Sequence, residues 1–163
     1  MVVTDSNVHL AHAPKRSGAS SKLSLSAEDA EDALRTRRMT ENDIGHTIVT
    51  AAMIVHSAVG PGLLESAYEL CLTHELTKHG LLVRKQVLIP IRYEDLMVDN
   101  GYRIDIPVND LVVVELKALE AILPVHRGQL LSYLRLGGFK LGYLLNFNVA
   151  HMRDGITRMV NGL

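Results

Sequence analysis

The feature that most constrains this chain is an apolar run with charge set inside it. Residues 102–118 read Tyr-Arg-Ile-Asp-Ile-Pro-Val-Asn-Asp-Leu-Val-Val-Val-Glu-Leu-Lys-Ala, two apolar segments around a polar turn. Val112-Val113-Val114 has the composition of a buried strand, and Glu115 and Lys117 come directly after it. Burying a carboxylate or an ammonium costs several kcal/mol unless each finds a partner. A fold that hides this strand must therefore supply partners for both residues.

Side chains alternate along a strand, so Glu115 and Lys117 share one face. On the preceding strand Asp105 shares a face with Arg103, while Tyr102, Ile104, Ile106 and Val108 point the other way. If the apolar sets face one core, the charged residues emerge together on the opposite side. Parity sets a condition. A two-residue turn at Asn109-Asp110 would place Asp105 opposite Val114. An odd number of loop residues, or a bulge, is needed to bring Asp105 opposite Glu115, and one of these is expected. A divalent cation between two carboxylates with a lysine beside it is one arrangement that offsets the burial cost, and such a set can hydrolyse phosphodiesters.

With 163 residues, one domain is the natural size, and 47% apolar residues suffice for a core. The net charge of −1 provides no global basic field for holding nucleic acid, so any such contact needs a local patch. Cys71 is the single cysteine. This excludes an intramolecular disulfide and a cysteine-rich metal site, and it fits a reducing, cytoplasmic setting. Residues 1–38 are rich in Ser, Ala, His and charge without a periodic apolar face. They are expected to form a disordered tail, with at most a frayed helix near Ala27–Arg38. The tail lacks the apolar segment of a secretory signal, and no stretch of the chain is apolar enough for a membrane span. The domain is expected over 39–163, with Thr40 and Asp43 as an approximate capping box at its start.

Helical periodicity predicts a first helix from Glu41 to Ala58, with Ile44, Ile48, Ala51, Ala52, Val55 and Val59 on its apolar side. Gly60-Pro61-Gly62 breaks it. A second helix is expected from Leu63 to His79, with a stripe of Leu64, Ala67, Leu70, Cys71 and Leu76, ending at Gly80. Strand character then runs from Leu82 to Tyr93, with Pro90 marking an edge or bulge. A polar turn is expected over 94–101, signalled by Asp99-Asn100-Gly101. Strands at 102–108 and 111–118 follow, then a helix over 125–136 behind Pro124, an interior strand over 139–146 and a short strand at 156–160. The order ααβββαβ reads as an α/β fold, a mixed β-sheet flanked by helices.

Other polar residues form smaller groups. Glu65, Tyr68 and Glu69 lie at i, i+3 and i+4 on the second helix, and Gln129 and Tyr133 at i, i+4 on the third. On the residues alone, the reading favoured for Glu65 is a first-turn acid suited to the helix dipole, ahead of a metal ligand or water-orienting carboxylate, and that for Gln129–Tyr133 is a pair at the core edge, ahead of a substrate contact. The histidines are not spaced as zinc ligands. His46 and His56 are expected at the surface or its boundary.

Taken together, Gly62-Leu-Leu-Glu65-Ser-Ala-Tyr68, Arg103-Ile-Asp105, Val114-Glu115-Leu-Lys117-Ala, Gln129-Leu-Leu-Ser-Tyr133 and Gly142-Tyr-Leu-Leu-Asn146-Phe-Asn148 resemble, in the same order, the bacterial GxxExxY proteins of the PD-(D/E)XK nuclease superfamily. The resemblance covers Thr40 to the C-terminus and implies a restriction-endonuclease-like core. It implies that Asp105 and Glu115 bind Mg²⁺ or Mn²⁺, that Lys117 lies near the attacking water, and that Glu65 is the acid supplied by the first core helix. Gln129 and Tyr133 are similar to the Gln-x-x-x-Tyr element of RecB-type nucleases, and with Tyr68 and Arg103 they would contact substrate. The implied partner is nucleic acid, DNA before RNA, and a homodimer would complete a larger groove. Ile104 stands where the superfamily's name has Pro. Arg103, Lys85 and Arg127 are candidates for a phosphate path. The competing readings are a nuclease-fold module that binds nucleic acid or protein without cutting, and a purely structural Glu115–Lys117 ion pair.

Overall fold

The computed structural model describes residues 39–162; the expected tail over 1–38 and its frayed helix lie outside the described residues. Helix α1 (Glu41–Val59) starts at the expected capping box. The Thr40 hydroxyl accepts from the Asp43 N–H at 3.2 Å and the Asp43 carboxylate accepts from the Thr40 N–H at 2.9 Å. Its buried side carries Ile44, Ile48, Ala51, Ala52, Val55 and also His56, whose Nε2 donates to the Val149 carbonyl at 2.8 Å. Val59, expected on that side, is exposed.

Helix α2 (Glu65–Lys78) buries Tyr68, Leu72 and Leu76, one residue per turn. The expected stripe was rotated: Leu64 and Leu70 are 78% and 59% exposed. Tyr68, outside the expected stripe, anchors the helix instead, its ring stacked on Phe147 at a centroid distance of 4.5 Å.

A hairpin of β1 (Val87–Tyr93) and β2 (Leu96–Ile104) comes next, with the register shift between Ile89 and Ile91 that Pro90 signalled. The turn, however, is at Glu94-Asp95, where Glu94 adopts φ 51°, and Asp99-Asn100-Gly101 lies within β2. Strands β3 (Ile106–Val108), β4 (Val112–Lys117), β5 (Leu141–Asn146) and β6 (Ile156–Val160) form a four-stranded sheet in that order. β4 and β5 are parallel and the other pairs antiparallel. Helix α3 (Pro124–Gly137) makes the crossover between the parallel pair.

Both faces of this sheet are covered. Val112, Val114 and Leu116 join Ile106 and Val108 in the larger core with α1 and α2. Val113 and Leu144 face the smaller core with Leu130, Tyr133 and Leu134 of α3. The expectation of a single core is thus corrected, as is the common face of Ile104 and Ile106. Ile104 belongs to the smaller core and Ile106 to the larger, because the chain bends at Asp105 and alternation restarts there. Gly142 lets α3 lie close on β5: a Cβ there would stand 3.0 Å from side-chain atoms of Leu130 and Leu134.

Candidate active site

The loop between β3 and β4 holds Asn109, Asp110 and Leu111, an odd number, and pairs Ile106 with Val114. Continued by one residue, this register sets Asp105 opposite Glu115, as the parity condition requires. Asn109 and Asp110 take φ of 51° and 53°, conformations that Asn and Asp tolerate better than most residues.

Beyond Val114 this edge of β4 has no strand partner, since β2 pairs with β1 in a separate two-stranded sheet. The Leu116 N–H donates to the Asp105 carboxylate at 3.0 Å. One carboxylate thus satisfies a backbone donor where strand pairing has ended. A cleft of about 340 Å³ opens here, lined by Glu65, Leu88, Asn100, Tyr102, Arg103, Asp105, Glu115, Lys117, Gln129 and Tyr133.

Glu115 is 2% exposed. Its Oε1 accepts from Lys117 Nζ at 2.6 Å, while its Oε2 is buried with no hydrogen-bond partner. Burial, then the neighbouring Asp105 charge, pushes the Glu115 carboxyl up to about 7; Lys117 pulls the other way and does not prevail. Burial works against the Lys117 ammonium, but contact with Glu115 and the charges of Glu65 and Asp105 outweigh it, and its pKa is raised. Glu65, first residue of α2, is raised by burial, with Lys117 and the Ala118 N–H opposing and Asp105 and Glu69 adding to the rise. The structure therefore brings Glu65, Asp105, Glu115 and Lys117 to one cleft. Among the described residues, though, no group of three or more His, Cys, Asp or Glu side chains is set to hold a metal ion. The adjoining carboxylates are Asp105 and Glu115, and Glu65 does not complete a three-acid cage.

Gln129 and Tyr133 enter the cleft from α3, with the amide of Gln129 donating to the Tyr133 hydroxyl. Arg103 is exposed at its edge, while Lys85 and Arg127 are exposed but do not line it. Tyr68 is not brought to the cleft. It is fully buried, and its hydroxyl donates to the Gly60 carbonyl at 2.8 Å and accepts from the Leu63 N–H at 3.0 Å. These bonds clasp the turn that sets the start of α2, and hence Glu65. Gly62 takes φ 96° within that turn, a conformation natural to glycine.

Three residues to which the sequence assigns no role support the site. Gln86 donates to Asp105 Oδ1 at 3.2 Å and also to Glu69, joining α2 to the bend. Its φ of 51° is costly for a non-glycine residue and is the sort of local strain that persists where surrounding contacts enforce it. Tyr102 stacks on Tyr133 at 4.6 Å. Asn146 accepts from the Leu119 N–H at 3.0 Å and donates to the Leu119 carbonyl at 2.8 Å, fixing the chain just after Lys117. No local motif marks Gln86 or Tyr102; Asn146 could have been found as a lone amide ending an otherwise apolar strand.

A helix-flanked mixed sheet, with an Asp at the bend before one strand and a Glu-x-Lys ending its hairpin partner, is a restriction-endonuclease-like domain. A family model of the PD-(D/E)XK nuclease superfamily matches residues 42–159, and the chain belongs to that superfamily. No curated protein and no solved structure matches it. No helix among the described residues is long and apolar enough to cross a membrane.

Proposed function

We propose that this protein is a metal-dependent nuclease that hydrolyses phosphodiester bonds of nucleic acid, DNA before RNA, in the cleft between β2 and β4. The observation that carries this reading is the state of Glu115: a nearly inaccessible carboxyl beside Asp105, with one oxygen on Lys117 and the other lacking any partner. A buried acceptor left unsatisfied is costly, and two adjoining carboxylates repel once ionised. Both penalties fit a pair that binds a divalent cation. The donors are oxygen only, which favours Mg²⁺ or Mn²⁺, ions commonly held through one or two carboxylates, waters and substrate phosphates. Such an ion, when bound, supplies Lewis-acid activation of water and of the phosphoryl group.

The chain's own residues have separate tasks. Asp105 and Glu115 hold the cation. Lys117, freed from Glu115, orients the water or stabilises charge on the phosphoryl oxygens. Glu65 orients water from the start of α2, and Gln129, Tyr133 and Arg103 hold the substrate. Within the superfamily we assign the chain to the GxxExxY proteins, on Gly62, Glu65 and Tyr68. Cys71 as the single cysteine supports a cytoplasmic location, and a homodimer would extend a groove that is short for one domain.

Calorimetric titration with Mn²⁺, alongside degradation of DNA and RNA, tests the reading. Wild type should bind and cut, and Asp105→Ala should lose both while keeping its fold by circular dichroism. A wild-type protein that binds Mn²⁺ no better than Asp105→Ala and cuts neither polymer would leave only a binding module.

A further inference from the structure

We infer that the cleft takes single-stranded nucleic acid, one nucleotide at a time, rather than an intact duplex. This rests on the nuclease reading for the identity of the site, but its argument comes from the walls. The volume of about 340 Å³ lies at the low end of pockets that enclose one small ligand, roughly 300–1,000 Å³. A single splayed nucleotide suits that space better than a stacked base pair.

The wall formed by β1 and β2 is built for a base and its phosphate together. Leu88 and Arg103 are register partners across the hairpin, so their side chains stand side by side on one face. Both line the cleft and both are exposed, Leu88 at 53%. An apolar surface next to a guanidinium matches an unstacked base next to its phosphate. Tyr102, stacked on Tyr133, adds an aromatic side chain to the same lining, and base–aromatic contact is the usual source of affinity for single strands.

Charge points the same way. A duplex presents one phosphate charge per roughly 1.7 Å of its axis, and proteins that grip it neutralise many of them. Of the described residues lining this cleft, Lys117 is engaged by Glu115, and Arg103 is the one other Lys or Arg. With Lys117 set against Glu115, Glu65 and Asp105 outweigh Arg103 by one negative charge, and the proposed divalent cation leaves the lining with at most one positive charge. With a whole-chain net charge of −1, a rigid duplex would gain little here. A single strand, held through base contact and one guanidinium, loses less.

Fluorescence anisotropy of the full chain carrying Lys117→Ala, which spares the probe from cleavage, tests this. The probes are labelled oligo-dT, oligo-U and a blunt dT·dA duplex at one ionic strength. One or both single strands should bind at least about tenfold more tightly than the duplex, the size expected of a base-stacking contact. Leu88→Ala, at an exposed position that does not endanger folding, should weaken single-strand binding about threefold and leave the duplex unchanged. Equal or tighter duplex binding, no binding of either single strand, or indifference to Leu88→Ala would overturn the inference. Wild-type cleavage is read separately. A preference for single strands without cleavage would sink the nuclease reading and leave this one standing. Blunt duplex cut as fast as single strand would do the reverse.

Discussion

One face of β4 carries Val112, Val114 and Leu116, the other Val113, Glu115 and Lys117. Both faces are largely covered, yet they are covered by different things. The first packs on α1 and α2 without a polar atom among its side chains, and each such side chain, fully buried, contributes about 1.5–3 kcal/mol. The second passes within three residues of the same face from an apolar contact with α3 to an ion pair with an unsatisfied carboxyl oxygen. A strand can tolerate such a cost on one side because the other side holds it in place.

Paired substitutions on adjacent residues separate the two faces. Lys117→Ala should lower the cleavage rate on the order of 10²–10³-fold, comparable to removing one transition-state donor, with little change in the urea midpoint at about pH 5, where Glu115 is protonated and does not depend on a cationic partner. Leu116→Ala should do the opposite. It should cost about 2–5 kcal/mol of stability, as for other buried Leu→Ala changes, while the rate per folded molecule changes little, since its backbone N–H still reaches Asp105. If Leu116→Ala abolished activity in a fully folded sample, the division of labour between the faces would be wrong.

The contrast also explains what could be read from the sequence. The apolar face is legible from alternation in 112–118, and setting Asp105 opposite Glu115 demands, by parity, an odd loop or a bulge before β4; Asn109, Asp110 and Leu111 supply the odd loop. The helices were placed to within a few residues by Gly60-Pro61-Gly62, Pro124 and Gly80. What alternation could not convey is the bend at Asp105, because Ile104 and Ile106 are equally apolar and only tertiary structure assigns them to different cores. The hairpin turn was missed for a related reason. Asp99-Asn100-Gly101 has turn chemistry, but pairing with β1 keeps it extended, and Glu94 takes the left-handed conformation instead. Tyr68 belongs to the stretch that resembles the GxxExxY signature, a resemblance that implies contact with substrate. It is instead buried on Phe147, and its hydroxyl clasps the turn before α2.

A smaller effect sharpens the comparison through pH. Glu115 has its folded pKa raised from an ordinary value near 4.5 to about 7. Below about 4.5 it is protonated in both states, and the stability this gives the folded chain is fully present. As pH rises through that window, the unfolded chain releases the proton and the folded chain retains it. Stability therefore falls until about pH 7 and levels off above. The total is up to about 3 kcal/mol, at about 1.4 kcal/mol per unit. Urea unfolding of wild type relative to Glu115→Gln, at pH 4.5, 6 and 8, should show wild type losing ground as pH rises. Added Mn²⁺ at pH 8 should recover part of the loss in wild type alone. A difference independent of pH would mean that Glu115 is better solvated or better paired than its burial implies.

The smallest effect concerns the turn before α2. Tyr68→Phe keeps the ring on Phe147 and removes two hydrogen bonds, to the Gly60 carbonyl and from the Leu63 N–H. At roughly 0.5–1.5 kcal/mol for a typical bond, and with the Leu63 N–H near enough to the surface to regain water, stability should fall by about 1 kcal/mol. The more telling readout is its coupling to Glu65. If the clasp acts by setting the start of the helix that carries Glu65, the activity lost in Tyr68→Phe should largely vanish when Glu65 is already Gln. A double-mutant cycle on the cleavage rate measures this directly. Additive losses would show that Tyr68 and Glu65 act independently, and the turn would then be a feature of the fold and not of the cleft.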